Sequence, residues 1–548
     1  MTNDKTAPTP QSDMTERQAG SQAGSHVVAD QSEAFAVLAD PAQHGITEPV
    51  IRIDTAISAV FLAGRHAYKV KRAVRFSYLD FSLLTHRREL CAREIERNRP
   101  NAPDLYLDVV AITREADGRC MLGGKGEAIE WAVRMRRFDP EQTLDRIAEK
   151  GPLAASVIDD LAGMLARAHG VAPHREVEPW LADLALYIEQ NESAFLEWPA
   201  LFAPERVHAL TKACWAMLDG LRPLLAQRGR LGHVRLCHGD CHLRNIVMDE
   251  GRPVLFDAIE FDDGIATGDV LYDLGFLVMD LWERGDRTGA NRLLFRYLAI
   301  THLADHLEGL AALGFFMAVR AAIRAKVVAA QMPHLHGEAR QRTEDDAMRY
   351  FESAEAFLQP VSPMLIAIGG LSGTGKSTLA LALAPQIGRA PGAVVLRTDV
   401  ERKALYGIPE TARLPREAYR PEITEDVYHR LMIQARTALA AGHSVILDAV
   451  FADPHERDVA ERMAQAVEAP FAGLWLTAPA AVLEARVAGR VGDASDAGIA
   501  VVRQQLHYDL GPLSWARVDA SGTPAETLAR AADIVAAASS AAEDIPAK

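Results

Sequence analysis

The sequence predicts two folded units of different class: an α+β domain of two lobes, then an α/β domain built on a parallel sheet. Three observations carry this. Short β-like runs with one helix open the chain and give way to long helical patterns between about 152 and 356. One β-like interruption in that helical stretch contains CHGDCHLRN, residues 237–245. Beyond the prolines of QPVSP, 359–363, strand and helix candidates alternate from MLIAIGGLSGTGKSTLALALAPQI onward, the pattern of a parallel sheet with helices on both faces.

At 548 residues the chain has room for two to four domains at roughly 150 residues each. Its 49% hydrophobic and 24% charged content is that of a globular protein. Acidic residues outnumber basic ones, 74 to 59, and the formal charge of -15 repels polyanions. No basic stripe with interleaved aromatics marks a nucleic-acid groove, so a nucleic-acid partner is disfavoured. Five scattered cysteines read as reduced thiols of the cytoplasm rather than a disulfide framework. The opening 26 residues lack a basic region followed by an apolar core, and residues 1–45 are expected to form a mobile tail. The apolar run GLAALGFFMAV, 309–319, ends at Arg320, short of the ~20 residues a bilayer requires, and predicts a buried helix with no membrane partner.

In the first domain, expected over 46–355, SAVFLAG and HAYKVKRAV form a hairpin around Gly64 and Arg65, with Lys69 and Lys71 on one strand face. THRRELCAREIERNRPNA is a helix that carries Glu94 and ends at Pro100 and Pro103. VVAITREADGRCML and EAIEWAVRMRRF read as two further strands. SVIDDLAGMLARAH and AFLEWPALFAPERVHALTKACWAMLDGLRPLL are long helical patterns. NIVMDEGRPVLFDAIEF reads as a hairpin that returns Asp257 toward Asn245.

Two chemistries compete for CHGDCHLRN. Cys237, His238, Cys241 and His242 offer zinc ligands, but no second Cys/His cluster completes a structural site and Asp240 would be idle. Phosphotransfer needs one carboxylate near the attacking hydroxyl and a carboxylate plus an amide for magnesium; Asp240, Asp257 and Asn245 meet that demand. A strand lysine, Lys69 or Lys71, and the helix residue Glu94 supply the phosphate-orienting pair. Singly, Lys69 and Glu94 also fit an exposed strand lysine and a solvated helix face. Asp269 and Asp273 in GDVLYDLG read as braces of the loop. On these motifs, residues ~46 to ~355 resemble the aminoglycoside phosphotransferase and choline kinase branch of the protein-kinase-like fold. HGDCHLRN stands as the HGDxHxxN loop of that branch. The resemblance implies Asp240 as catalytic base, Asn245 and Asp257 as magnesium ligands, Lys69 and Glu94 at the nucleotide, and Met135 to Phe138 as the hinge beside adenine. The phosphate loop departs from protein kinases, since Gly64 stands alone.

The second domain, expected over 362–540, carries GLSGTGKS, 370–377, a full P-loop pattern between a predicted strand and helix. Gly370, Gly373 and Gly375 let backbone N–H groups wrap phosphates, with Lys376 on the β and γ oxygens, Ser377 on magnesium and Thr378 opening the helix. Asp399 and Arg402 follow the second strand and Asp448 ends the third, at the strand ends that border the crevice of an α/β sheet. Asp399 suits a general base, Arg402 a substrate ligand, and Asp448 a magnesium organiser. Arg486 and Arg490, four apart, suit a phosphate lid or, equally, surface ion pairs. RTDVERKALYG and RVAGRVGDASDA resemble the small P-loop kinases typified by gluconate kinase, the kinase half of polynucleotide kinase and zeta-type toxins. The expectation is a protein-kinase-like domain fused to a P-loop NTPase domain. It acts as a bifunctional kinase that uses ATP and Mg2+ to phosphorylate hydroxyls of small molecules. Two alternatives remain open: a ligand-sensing protein with a non-catalytic first half, and a 5′-hydroxyl nucleic-acid kinase in the second.

Overall fold

The computed structural model describes residues 27–76, 79–301, 304–489 and 494–543. The chain divides into two compact units, Met1–Arg99 with Pro103–Arg137, and Pro100–Ala102 with Phe138–Lys548.

The first unit is an antiparallel sheet of order β1-β2-β3-β8-β6-β7. Its strands are β1 Ile51–Asp54, β2 Ser58–Ala63, β3 His66–Lys71, β6 Tyr106–Arg114, β7 Cys120–Leu122 and β8 Glu127–Arg136; a small hairpin, β4 Arg75–Phe76 and β5 Leu79–Asp80, follows β3. Alternation along β2 and β3 buries Ala59, Phe61 and Val70 on one face, which fixes the register Val60↔Lys69. Gly64 takes φ 55° in the two-residue turn between them, a conformation natural to glycine. The Leu84–Asn98 helix turns Leu90, Cys91, Glu94 and Ile95 inward. VVAITREADGRCML is two strands rather than one, because Asp117 and Gly118 turn the chain so that Ile112 pairs with Leu122.

Part of the 1–45 stretch, expected to be a mobile tail, is regular structure. Residues 1–26 lie outside the described residues, but Ser32–Ala39 is a helix that buries Ala34, Val37 and Leu38 against Phe61, Tyr68 and Ala132. Gln31 ties it down, donating to Lys71 O at 2.9 Å and Glu130 Oε2 at 2.7 Å and accepting from Ala73 N at 2.7 Å. Apolar residues at i, i+3 and i+4 in SEAFAVLA form the stripe that defines this helix.

The second unit begins as a helical array: Ala155–Val171, Val177–Leu196, Pro204–Arg230, Val270–Glu283, Arg287–Thr301, Leu313–Ala329 and Gly337–Phe357. The long AFLEWPALFAPER pattern breaks into two helices, with Pro204 at the first turn of the second, where its missing N–H costs nothing. The 309–319 run is helical and buried, as its composition predicts. Within the array lie the hairpin β10 Ile246–Asp249 and β11 Arg252–Leu255, and the ladder of β9 Val234–Leu236 with β12 Thr267–Asp269. Then comes an all-parallel sheet of order β14-β15-β13-β16-β17. Its strands are β13 Leu365–Gly370, β14 Val394–Arg397, β15 Val445–Asp448, β16 Phe471–Thr477 and β17 Ala516–Asp519.

QPVSP marks a change of architecture without separating two cores. One buried apolar cluster runs from Leu144 through Phe316 and Phe357 to Leu365, Val394, Leu431 and Trp515, and Phe295 of the helical array joins the cluster of Ile366, Leu379 and Val395. Polar contacts reinforce this: Asn291 Nδ2 donates to Ala393 O at 3.0 Å, His443 Nε2 to Leu310 O at 3.2 Å, and Arg296 Nη1 to Glu410 Oε2 at 2.6 Å. A Cβ at Gly314 would stand 2.5 Å from Arg389 Nη2 and 2.9 Å from Phe357 O, so the backbone approach there requires glycine. No helix of the described residues is long and apolar enough to cross a membrane.

Candidate active sites

In the first unit, strand alternation sends Lys69 and Lys71 to one face of β3, where the Leu84–Asn98 helix offers Glu94. Glu94 accepts from Lys69 Nζ at 2.8 Å through one oxygen and from Lys71 Nζ at 2.7 Å through the other. Burial alone would raise the Glu94 pKa; the two ammonium groups outweigh it and hold the carboxyl at about 2. The two lysines differ in access: the Lys71 side chain is 1% exposed and that of Lys69 15%. A ligand can therefore reach Lys69 and not Lys71. Met135 is buried at the end of β8, and Phe138 opens the second unit, where its ring lies 5.0 Å from that of Phe256.

The second unit holds CHGDCHLRN between β9 and β10. Gly239 takes φ 84° against Ala266, and its N–H donates to Asp273 Oδ1 at 3.0 Å. Asp273 in turn accepts from His169 Nε2 at 3.3 Å, while His169 Nδ1 meets the Tyr297 hydroxyl at 3.0 Å. Asp269 caps its helix through Leu271 N and takes a two-pronged ion pair from buried Arg228 at 2.6 and 2.7 Å. Leu243 N donates to Asp280 Oδ2 at 2.9 Å. Two aspartates, Asp273 and Asp280, thus hold the loop from behind, the bracing expected of Asp273, whereas Asp269 pairs with Arg228 and caps its own helix.

His238 Nδ1 accepts from Asp240 N and its Nε2 donates to Phe256 O at 2.9 Å; His242 Nδ1 accepts from Arg244 N and its Nε2 donates to Asp240 Oδ2 at 3.3 Å. Both ring nitrogens of each histidine are thus spent on the loop itself. Among the described residues the group close enough together to hold a metal ion is buried His169, Cys237 and Asp273, rather than the four residues of the zinc reading. Asn245 Nδ2 donates to Asp240 Oδ2 at 2.9 Å and to its carbonyl at 3.0 Å. The Asp240 side chain is 40% exposed. Desolvation works to raise its pKa, but the imidazoles of His242 and His238 and the Arg320 guanidinium prevail, and the carboxylate is held well below its usual range. The β10–β11 hairpin sets Phe256 opposite Asn245 through Phe256 N to Asn245 O at 3.0 Å, which brings Asp257 beside the loop. Asp257 has φ 62°, a left-handed conformation that costs a non-glycine residue about 1 kcal/mol or more and is held by its neighbours' bonds.

In the parallel sheet, the glycine loop links β13 to the Lys376–Leu383 helix, with Gly373 at φ 87° and Gly375 at φ 93°. A Cβ on Gly373 would meet Leu483 O at 2.7 Å, and one on Gly370, at φ 142°, Leu476 O at 2.8 Å. Strand order places β15 beside β13 and β14 beyond β15, so the C-terminal ends of both lie on the side of the loop. Asp448 Oδ2 accepts from Ser377 Oγ at 2.6 Å and from Arg397 Nε at 3.1 Å, and Arg397 Nη2 reaches Ser377 Oγ at 3.0 Å. A cavity of about 780 Å³ opens here, lined by Gly373, Gly375, Lys376, Ser377, Thr378, Asp399 and Asp448 among others. Burial, then the charge of Asp448, pushes the Asp399 pKa up.

Arg402 also lines this cavity, but its Nη1 is engaged by Ala418 O at 2.7 Å and Thr424 Oγ1 at 3.2 Å, and its guanidinium lies over the Tyr419 ring. Arg486 does not reach the cavity: it sits in the last turn of the Ala480–Ala488 helix and donates to Gly522 O at 3.0 Å. Arg490 lies outside the described residues. Sequence reasoning missed Arg397, Tyr428, Glu456, Asp496 and Gln505. Asp496 Oδ2 accepts from Tyr419 Oη and Leu414 N, and Gln505 Oε1 accepts from Ser372 N of the glycine loop at 2.8 Å. Arg397 stands two residues before Asp399, at the strand end, which is the one signal that marks it.

Residues 85–313 match the family model of the phosphotransferase enzyme family, and residues 365–508 that of the AAA domain. The chain therefore carries a kinase-like phosphotransferase domain followed by a P-loop domain. An uncharacterized protein of Mycobacterium tuberculosis is 29% identical over 506 residues, spanning 87% of this chain and 94% of that one. Among solved structures, a gluconokinase from Sinorhizobium meliloti is similar at 23% identity and TM-score 0.24 over 34% of this chain and 96% of its own. A choline/ethanolamine kinase family protein from Mesorhizobium loti is similar at 16% identity and TM-score 0.34 over 60% and 95%.

Proposed function

We propose that the chain is a cytoplasmic, bifunctional ATP-dependent kinase that moves the γ-phosphoryl group to hydroxyls of small molecules at two Mg·ATP sites. The observation that carries this reading is the meeting of Ser377, Asp448 and Arg397 at the mouth of the glycine loop, with Lys376 and Asp399 on the same cavity. Ser377 Oγ and the Asp448 carboxylate are hard oxygen donors of the kind magnesium takes, and Asn245 and Asp257 offer a second such set. Magnesium, when bound, would neutralise charge on the transferring phosphates. Lys376 would hold the phosphates, and Asp399 would take the proton of the attacking hydroxyl, its raised pKa suiting a base. In the second unit Asp240 would be the base, steered by Asn245 and His242; in the first unit Lys69, oriented by Glu94, would contact phosphate.

Calorimetry with a slowly hydrolysed ATP analogue on the full chain tests this. Two binding events are expected, one abolished by Lys376→Ala and neither by Asp240→Asn. Asp240→Asn should lower turnover at its site by 10²-fold or more, about 2.7 kcal/mol, with little change in nucleotide affinity. A single event removed by Lys376→Ala would leave the kinase-like half a ligand sensor.

A further inference from the structure

Gln505 closes the Ile499–Gln505 helix and is 7% exposed, yet it lies on the lining of the P-loop cavity together with Lys376 and Ser377. Its Oε1 accepts from Ser372 N at 2.8 Å, across 133 residues of chain. A backbone N–H can only donate, so this bond fixes which end of the side-chain amide meets the loop: the oxygen faces Ser372 and the NH2 group faces away from it. Gln505 has no further side-chain hydrogen-bond partner among the described residues. Its two N–H donors are therefore left for whatever occupies the cavity.

The amide stands on a packed platform. Val502, one turn earlier on the same helix, is buried against Leu483 and Val487 of the Ala480–Ala488 helix, and Leu371 of the glycine loop packs on the same cluster. Arg503 joins the two helices through the Glu484 carboxylate at 2.8 and 3.0 Å. The other side of the Leu371–Ser372 peptide group is engaged as well: Leu371 O accepts from Lys376 Nζ at 3.2 Å and from Thr374 Oγ1 at 2.7 Å. One peptide group thus carries the Lys376 ammonium on its oxygen and the Gln505 amide on its N–H. In a P-loop the N–H groups at the start of the helix cradle the α and β phosphates, and the lysine reaches the β and γ oxygens. Ser372 precedes both, so a donor fixed beside it serves the terminal phosphate.

We propose that Gln505 is a ligand of the nucleotide's terminal phosphate: its carbonyl oxygen fixes the glycine loop at Ser372 while its NH2 group donates to a γ-phosphoryl oxygen. This rests on the phosphotransfer reading of the same cavity. In the step, the acceptor oxygen forms a bond to the γ-phosphorus as the bridging P–O bond of ATP breaks, ADP leaves, and the hydroxyl proton passes to Asp399. The Gln505 amide neither gains nor loses a proton; it donates to an oxygen that is charged before and during transfer, where a hydrogen bond is stronger than between neutral groups. ADP has no phosphate for that donor, so Gln505 separates the triphosphate from the product.

The test is calorimetry on the full-length chain with Mg2+ present, following the binding event that Lys376→Ala removes, with ADP and a β,γ-imido ATP analogue as the two probes. Gln505→Glu keeps an oxygen for Ser372 N and loses the donor, whereas Gln505→Leu loses both. Gln505→Glu is expected to weaken the analogue at least about 10-fold and ADP less than about threefold, the loss of one hydrogen bond to a charged group. Gln505→Leu should weaken both probes, the analogue by the larger factor. Retained ADP binding by Gln505→Glu serves as the control for folding. Equal changes for the two probes, no change for either, or loss of ADP binding by Gln505→Glu would make Gln505 a brace of the loop alone and overturn the proposal while the kinase reading survives. Tighter binding of the analogue by Gln505→Leu would make the side chain a plug that phosphate displaces, and overturns it equally. If wild type shows no event that Lys376→Ala removes, the phosphotransfer reading of this cavity falls, and the proposal with it.

Discussion

Glu94 is a residue whose removal leaves more behind than it takes. Two buried or half-buried ammonium groups share its carboxylate, so Glu94→Gln removes the counter-charge both of them face, at a cost of about 3–5 kcal/mol. Its folded pKa is depressed, so the stabilisation is complete above the ordinary value near 4.5 and is lost as pH falls toward about 2. The gap in stability between wild type and Glu94→Gln should therefore narrow from pH 4.5 to 2, read by hydrogen exchange of the β3 amides. A gap that is constant with pH would contradict the charge account. At this scale Lys69, Asp240 and Ser377 were legible because each sits in a local spacing with a chemical meaning. Glu456 was not, because a lone acidic residue far from any motif acquires its neighbours only in the folded sheet, and Asp496, although inside RVAGRVGDASDA, has no spacing there that marks its partners Tyr419 and Leu414.

Among elements, the loop between β9 and β10 shows how much a short turn depends on what lies behind it. Gly239 is left-handed, and a Cβ there would stand 2.8 Å from Ala266 Cα. Gly239→Ala should displace the loop, destabilise the unit by about 1–3 kcal/mol, and lower turnover at the Asp240 site by more than tenfold, checked by thermal unfolding and kcat together. Loss of stability with full turnover would mean the loop tolerates the shift. The β10–β11 hairpin and the P-loop strand–helix unit could be read from turn chemistry and periodicity. The Ser32–Ala39 helix could not be separated from its polar, Gly- and Ser-rich approach by composition, although its apolar stripe was present. Arg486 shows the converse: its helix was legible, but its contact with Gly522 O depends on a loop after β17 that the sequence does not tie to it.

For the molecule as a whole, the cluster that runs from Leu144 to Trp515 predicts that everything from Phe138 onward unfolds together. Scanning calorimetry should show one transition for this unit, and a chain cut at QPVSP should give two fragments that expose apolar faces and associate or aggregate. Two independent transitions in the intact chain would refute a common core. The change of architecture at the prolines is visible in the sequence, whereas the shared packing is not, since Phe295 and Gly314 meet residues about a hundred positions or less away only through the tertiary fold.

The close approach at Gly314 and the bridge from Arg296 to Glu410 also bear on inheritance. If both proposed sites turn over, they are made in a strict one-to-one dose, and truncation of one should harm the other. A substitution such as Gly314→Val, which touches the residues of neither proposed site, should then lower transfer at both at once, and separately expressed halves should fail to restore either.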